Sequence, residues 1–239
     1  MAAHSQSRLE DRYPWLASML QTVDPLFPIG SYAHSYGLEE LVAMGEVTNA
    51  EELSQYLATI VDLNLSQFEL PYLRYQYDAQ TESDWEAVGQ LDREIGASKL
   101  SAEIRTASIA QGQQRLKLLA KLRPSPNLDR LKALWQSQQV APHHLTVFAA
   151  ERIQQSTPLD ATLMSWTYQA LAAPCAASLK IMRIGQEAAQ RVLTQALEAL
   201  PDLVARSLNV DRSWAGAFNP LIDIASDRHE KAYARLFIS

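Results

Sequence analysis

The sequence predicts an all-α fold, a single-domain bundle of about eight to ten helices. Apolar residues recur at helical spacing in segment after segment, and no convincing run alternates as a strand would. Prolines punctuate those segments, while glycine is scarce at 8 of 239 residues and no Gly/Ser-rich linker divides the chain. An apolar share of 47% is enough for a sizeable core.

The first clear helix carries Leu53, Leu57, Ile60, Val61, Asn64 and Leu65 at a period near 3.6 residues. Asn49 with Glu52 forms a capping box before it, each side chain satisfying a free backbone N–H. Ser83 with Glu86 predicts a similar start for a helix through Ile95. Residues 99–122 contain no proline and one glycine, which predicts one long helix with Gly112 as its only point of weakness. Pro124 and Pro126 end it, since proline lacks an N–H and restricts the residue before it.

A short helix over 128–138 follows, then Pro142. Thr157 reads as the cap of the next helix, with Pro158 in its first turn. That helix runs through Trp166 to Pro174, which should kink or divide it. Residues 186–200 form another amphipathic helix stopped by Pro201, and 218–220 form a turn that opens a terminal helix. No internal repeat or low-complexity tract occurs.

Composition narrows the function. Lys and Arg number 21 against 27 Asp and Glu, a net charge of -6 that argues against a nucleic-acid binder. Cys175 is the only cysteine, so an intrachain disulfide and a Cys-cluster metal site are excluded, and a reducing compartment fits. In its Ala-rich surroundings Cys175 reads as a small core residue. Residues 1–12 are polar and mixed in charge, unlike a secretory signal, and are expected to be flexible over about 1–10. No window approaches ~18 uninterrupted apolar residues. The expected location is cytoplasmic.

No catalytic constellation stands out: no phosphate-cradling loop, dinucleotide fingerprint, nucleophile elbow or His-Glu-x-x-His zinc helix. The chain is expected not to be an enzyme, with no catalytic and no metal-ligating residues. The five histidines are His4, His34, His143, His144 and His229. Neighbours on a helix point about 100° apart, so His143 and His144 read as surface residues rather than as a chelating pair. Arg105 reads as a charge paired with Glu103 or another acid. The small residues Ala102, Ala107, Ser108 and Ala110 allow close helix approach, in the core or at a dimer interface.

Two segments carry the interaction signal. Pro25-Leu-Phe-Pro-Ile-Gly30 is an apolar loop stiffened by two prolines, which lowers the entropy lost on docking, whether onto its own bundle or onto a partner. Gly30 and Gly37 permit backbone conformations costly to other residues, and between them lie Tyr32, His34, Ser35 and Tyr36. The tail, residues 218–239, is apolar to within one residue of its end. As a helix it gathers Ile222, Ala225, His229, Ala232, Tyr233 and Leu236 near one face, with Asp223, Asp227, Arg228, Glu230, Lys231 and Arg235 on the others. Such a segment docks on its own domain or lies in a partner's groove, oriented by charge pairs.

These segments resemble the urease accessory protein F (UreF) family. Leu20-Gln-Thr-Val-Asp-Pro-Leu-Phe-Pro-Ile-Gly-Ser-Tyr-Ala-His-Ser-Tyr-Gly-Leu-Glu39 is similar to that family's N-terminal block, and Asn219-Pro-Leu-Ile-Asp-Ile-Ala-Ser-Asp-Arg-His-Glu-Lys-Ala-Tyr-Ala-Arg-Leu-Phe-Ile-Ser239 to its ending. Arg105-Thr-Ala-Ser-Ile-Ala-Gln-Gly112, Ser165-Trp166 and Arg183-Ile-Gly-Gln186 are weaker matches between them. The chain departs from the pattern at Leu145-Thr-Val-Phe-Ala-Ala150, which lacks a usual glycine, and at Asp227, where methionine is common.

The resemblance implies an α-helical homodimer that aids urease maturation and is not an enzyme. It implies partners: a UreD/UreH-type accessory protein, a UreG-type GTPase and apo-urease, with nickel and GTP handled by those partners and no cofactor bound stably by this chain. Nucleic acid and membrane are not expected partners. Carried over by position, the partner-binding residues are Ile222, Asp223, Arg228, His229, Tyr233, Arg235, Leu236 and Phe237 in the tail, and Phe27, Tyr32, His34, Ser35, Tyr36 and Glu39 in the N-terminal block. Two other classes stay open on the residues alone: a helical nickel carrier, which would need converging ligands, and a helical adaptor unrelated to urease.

Overall fold

The computed structural model describes residues 13–30, 35, 37–216, 219–230, 232 and 236–237. Among them the fold is all-α, with eleven helices, ten of at least seven residues, and no strand. These are α1 (Leu16–Val23), α2 (Leu38–Ala43), a rod α3 (50–81), α4 (Trp85–Ser98), α5 (Ala102–Leu122), α6 (Pro126–Gln136), α7 (His144–Gln154), α8 (Leu159–Ile181), α9 (Gln186–Glu198), α10 (Leu200–Ser207) and α11 (Pro220–Glu230).

The rod begins where expected. The Asn49 side chain accepts from the N–H groups of Glu51 and Glu52, while the Glu52 carboxylate reaches Thr48 N rather than Asn49. Leu53, Leu57, Val61 and Leu65 are all buried at strict four-residue spacing. On a regular α-helix such a stripe drifts by about 40° per step. Wider π-helical turns at Leu57–Val61 and Leu65–Glu69 absorb that drift. Within the rod Pro71 has no N–H for the carbonyl of Gln67. The Gly216 N–H donates to that oxygen instead, at 2.7 Å, which ties the 208–216 loop to the rod.

Helix α7 is the centre of the bundle. Every residue from His144 to Arg152 is buried, because α5 packs on one side and the 70–81 stretch of the rod on another. A helix apolar or buried on all faces has no amphipathic period, so this one left no periodic signal. Gly112 explains how α5 comes so close. A Cβ there would stand 1.9 Å from the carbonyl oxygen of Pro142. Gly112 therefore does not break α5, which is continuous over 21 residues; it is the contact point with the strand of chain entering α7.

Several sequence expectations need correction. Asp84, not Ser83, caps α4, accepting from Ala87 N at 3.0 Å, and Ser83 takes a positive φ in the turn before it. Pro158 rather than Thr157 occupies the cap position of α8, which runs 23 residues through Pro174 without dividing. Pro201 opens α10 instead of only closing α9, since a missing N–H is harmless in a first turn.

The histidine pair is not on the surface. His143 and His144 are buried, as they start the central helix. His143 Nδ1 meets Ser108 Oγ at 3.1 Å, and Arg115 donates to His144 Nε2 at 3.1 Å. Among the described residues Arg105 donates to the carbonyls of Lys99 and Leu100 and to no acid. The buried arginine pair lies deeper. Arg115 donates to Glu151 at 2.6 Å, and both side chains are fully buried, with Arg152 beside them bonding Thr22 Oγ1. Cys175 is buried, as expected, and burial pushes its thiol up to about 11.

Candidate functional site

The structure brings the two marked segments together. Gly37, at φ +83°, opens α2, a conformation that glycine tolerates best. It also lies against α11. A Cβ at Gly37 would touch Ala225, Ser226 and Ile222 at 3.6 to 3.8 Å, so α11 rests on the start of α2. Pro220 is the first residue of α11, which fits the expected turn, although Phe218 lies outside the described residues.

Glu39 and Glu40 stand in the first turn of α2, where carboxylates suit the helix dipole. Both are used to hold the tail. His229 Nε2 lies 3.0 Å from a Glu39 oxygen, and its Nδ1 lies 2.9 Å from Glu103 in the first turn of α5. The imidazole is thus clamped between two carboxylates and is itself buried. The same Glu39 carboxylate accepts the backbone N–H groups of Leu236 and Phe237, at 2.8 and 3.0 Å. Arg228 donates to Glu40 at 2.8 Å from a more open position.

Phe237 inserts into the core, with the Lys180 ammonium of α8 5.4 Å from its ring centroid. Burial, with Asp227 adding to it, raises the Asp223 carboxyl above the usual range. The inner face of α11 is Ala225, Ser226 and His229, with Ile222 half-buried. Its outer face leaves Leu221 and Ile224 exposed, Ile224 by 54%, and Leu236 beyond it is 71% exposed.

The candidate residues therefore separate by position. His229, Phe237 and Glu39 join the tail to the body; Arg228 and Asp223 sit at the edge; Leu236 points outward. Phe27 is buried under Arg115, and Ile29 is buried with it, so these two tuck the 25–30 loop onto the bundle, while Pro25, Leu26, Pro28 and Gly30 stay exposed, Leu26 by 89%. Ser35 is buried, its Oγ accepting from Glu39 N at 3.4 Å. Tyr32, His34, Tyr36, Tyr233 and Arg235 lie outside the described residues. Glu40 and Glu103 were missed by sequence reasoning. Glu40 adjoins a matched residue, but nothing local marks Glu103, which lies 126 positions from its histidine.

Among the described residues no group of three or more His, Cys, Asp or Glu side chains converges as a metal site. No helix there is long and apolar enough to cross a membrane. The geometry is that of a surface segment seated by a buried imidazole, a buried ring and the part-buried hydrogen bonds around them.

The UreF family model fits residues 47–197, from the start of the rod to the end of α9. The urease accessory protein UreF of Actinobacillus pleuropneumoniae serotype 5b is 32% identical over 226 residues, which covers 94% of this chain and 99% of the relative. The UreF proteins of Thermosynechococcus vestitus (31% over 225 residues, 94% and 97% covered) and Pseudomonas fluorescens (32% over 223 residues, 93% and 98% covered) align as fully. By family model and by full-length relatives, the chain belongs to the UreF family of urease accessory proteins.

Proposed function

We propose that this chain is a cytoplasmic scaffold of urease maturation, a non-enzymatic factor that joins a UreD/UreH-type accessory protein and a UreG-type GTPase to apo-urease. On this reading it regulates GTP hydrolysis by its partner during nickel delivery, and binds neither nickel nor GTP stably itself. The observation that carries the reading is the seated tail. It keeps Leu221 and Ile224 exposed on α11, whose inner face is fixed by His229, and Leu236 exposed beyond the helix, next to the buried Phe237. A helix held in place with its apolar face outward loses little entropy when a partner covers that face. The inward residues act as anchors, and Leu221, Ile224, Arg228 and Leu236 supply the contact.

The proposed homodimer has a self-complementary surface in α8. Met164, Tyr168, Ala172, Ala176 and Leu179 follow one another at three- and four-residue intervals along its outer side, and all but the half-buried Ala172 are exposed. An antiparallel copy crossing at Ala172 sets large Tyr168 against small Ala176. It also brings the acidic N-terminal end, Asp160, to the basic C-terminal end, Arg183, of the other copy. A two-fold axis requires this kind of self-matching patch.

The test is size-exclusion chromatography with light scattering on the chain alone and mixed with the UreD-type and UreG-type proteins of its source. A dimer that recruits both into one particle supports the scaffold. A chain that ignores both overturns it. An Ile224→Asp variant should stay folded and dimeric while losing the UreD-type protein.

A further inference from the structure

A cavity of about 350 Å³ lies between the rod, α5, α8 and the tail. That volume is within the range of small-molecule sites, and so is the character of its wall, largely apolar with a few polar groups. Leu65, Phe68, Ile104 and Trp166 supply apolar wall, and Ile222 and Phe237 close it from the tail side.

Two oppositely charged groups, Lys99 and Glu69, face this apolar space from positions nearly closed to solvent. The side chain of Lys99 is 9% exposed. An ammonium has three N–H donors, and a buried one is costly unless acceptors meet them. Glu69 stands 4.0 Å from Lys99 Nζ, an ion-pair distance that is longer than a hydrogen bond. The other Glu69 oxygen is held by Trp166 Nε1 at 2.7 Å, which fixes the carboxylate where it is. The face of Phe68 lies 5.2 Å from the ammonium. Lys99 therefore presents donors to the cavity with room for an acceptor.

The geometry points to a binding site for a small monoanion with an apolar body, a medium-chain carboxylate in type, whose head bonds Lys99 and whose chain lies against Leu65, Phe68 and Trp166. A neutral head such as a hydroxyl accepts a bond without offsetting the charge, and a cationic head would face the ammonium across the cavity. Burial disfavours both wall charges, raising the Asp223 carboxyl and lowering the Lys99 ammonium against the pull of Glu69, so an anionic head at Lys99 meets a weakened Asp223 charge and restores the ammonium. Because Ile222 and Phe237 belong to the wall, occupancy stabilises the seated tail by mass action. This inference does not depend on the recruitment of urease partners, although the cavity shares Tyr168, Ala172, Ala176 and Leu179 with the proposed dimer face.

The experiment is calorimetric titration of the full chain with octanoate, 1-octanol and octylamine as probes. Expected is saturable one-to-one binding of octanoate, at least tenfold tighter than octanol, with octylamine weakest. Lys99→Met should bring octanoate down to the octanol affinity, and Ala173→Trp, which fills the cavity, should remove both. Hydrogen exchange at residues 219–230 should slow with octanoate present. Octanol or octylamine binding as tightly as octanoate to the unaltered protein overturns the proposal, whether or not the variants fold. So does octanoate binding unchanged in Lys99→Met, or absent at millimolar concentration.

Discussion

His229 and Glu39 are 190 residues apart in the chain and 3.0 Å apart in the fold, and their contact closes the tail onto the N-terminal block. Glu39 accepts two further bonds, from the Leu236 and Phe237 N–H groups, so one carboxylate organises the whole seat. Replacing Glu39 by Ala strands a buried imidazole nitrogen and two backbone donors. Loss of the buried imidazole's partner costs about 1–3 kcal/mol, while water replaces the bond to the exposed Leu236 N–H at little cost. Expected is faster proteolysis and faster hydrogen exchange confined to the tail, with the far-UV signal of the remaining helices kept. Unchanged exchange at residues 219–230 would mean that the tail is held by something else.

Gly112 carries a packing prediction. Its missing side chain is where α5 meets the carbonyl of Pro142. Gly112→Ala puts a methyl group into backbone atoms that cannot turn aside, so the helices must separate. Overpacking of this kind costs about 1–3 kcal/mol or more. The midpoint of urea unfolding should fall. By contrast Gly185→Ala, where nothing lies within 4 Å, should change it little.

Arg115 and Glu151 form a fully buried ion pair, with Arg152 alongside. Burial alone would push the Glu151 carboxyl up, but the two guanidinium groups outweigh it and hold the group below the usual carboxylate range. Arg115→Met leaves that charge with one partner fewer and should cost about 3–5 kcal/mol. Adding Glu151→Leu removes the stranded charge. The double variant is expected to regain much of the loss, and equal stability of the single and double variants would show that the charge is not the cause.

Stability should also fall with pH through His143. Burial pushes its imidazole down from 6.5 to about 4, against the pull of Asp92 and with the push of Lys99 and Arg105. The unfolded chain takes up a proton first as pH drops, while the native ring stays neutral until near 4. The contribution is therefore full above about 6.5 and is lost between there and about 4, by at most about 1.4 kcal/mol per pH unit. Urea unfolding at pH 7.5 and 5.5 measures it, and His143→Gln should flatten the difference.

The dimer proposal makes a prediction at one alanine. Ala172→Arg places a long charge where the two α8 helices would cross. Light scattering should give a monomer of unchanged helicity, and a persisting dimer would move the interface elsewhere.

Residue order by itself settled a good deal of this protein. Apolar periodicity and proline placement gave the class and most helices, since capping and turn chemistry act within a few residues: Asn49 at the head of the rod and Gly37 before α2 are both local necessities. The two end segments also stood out, because apolar residues in exposed-looking places are conspicuous in a polar context. What only the tertiary structure decided were the roles that depend on partners far along the chain. The central helix α7 was silent because a segment buried on every side has no period. His143 and His144 read as surface residues, and only the packing of α5 and the rod around α7 buries them. Glu103 became half of a clamp through a helix that arrives 126 residues later. Spacing reports the local backbone; burial and hydrogen-bond partners are properties of the assembled bundle, and they separated the anchors of the tail from its exposed face.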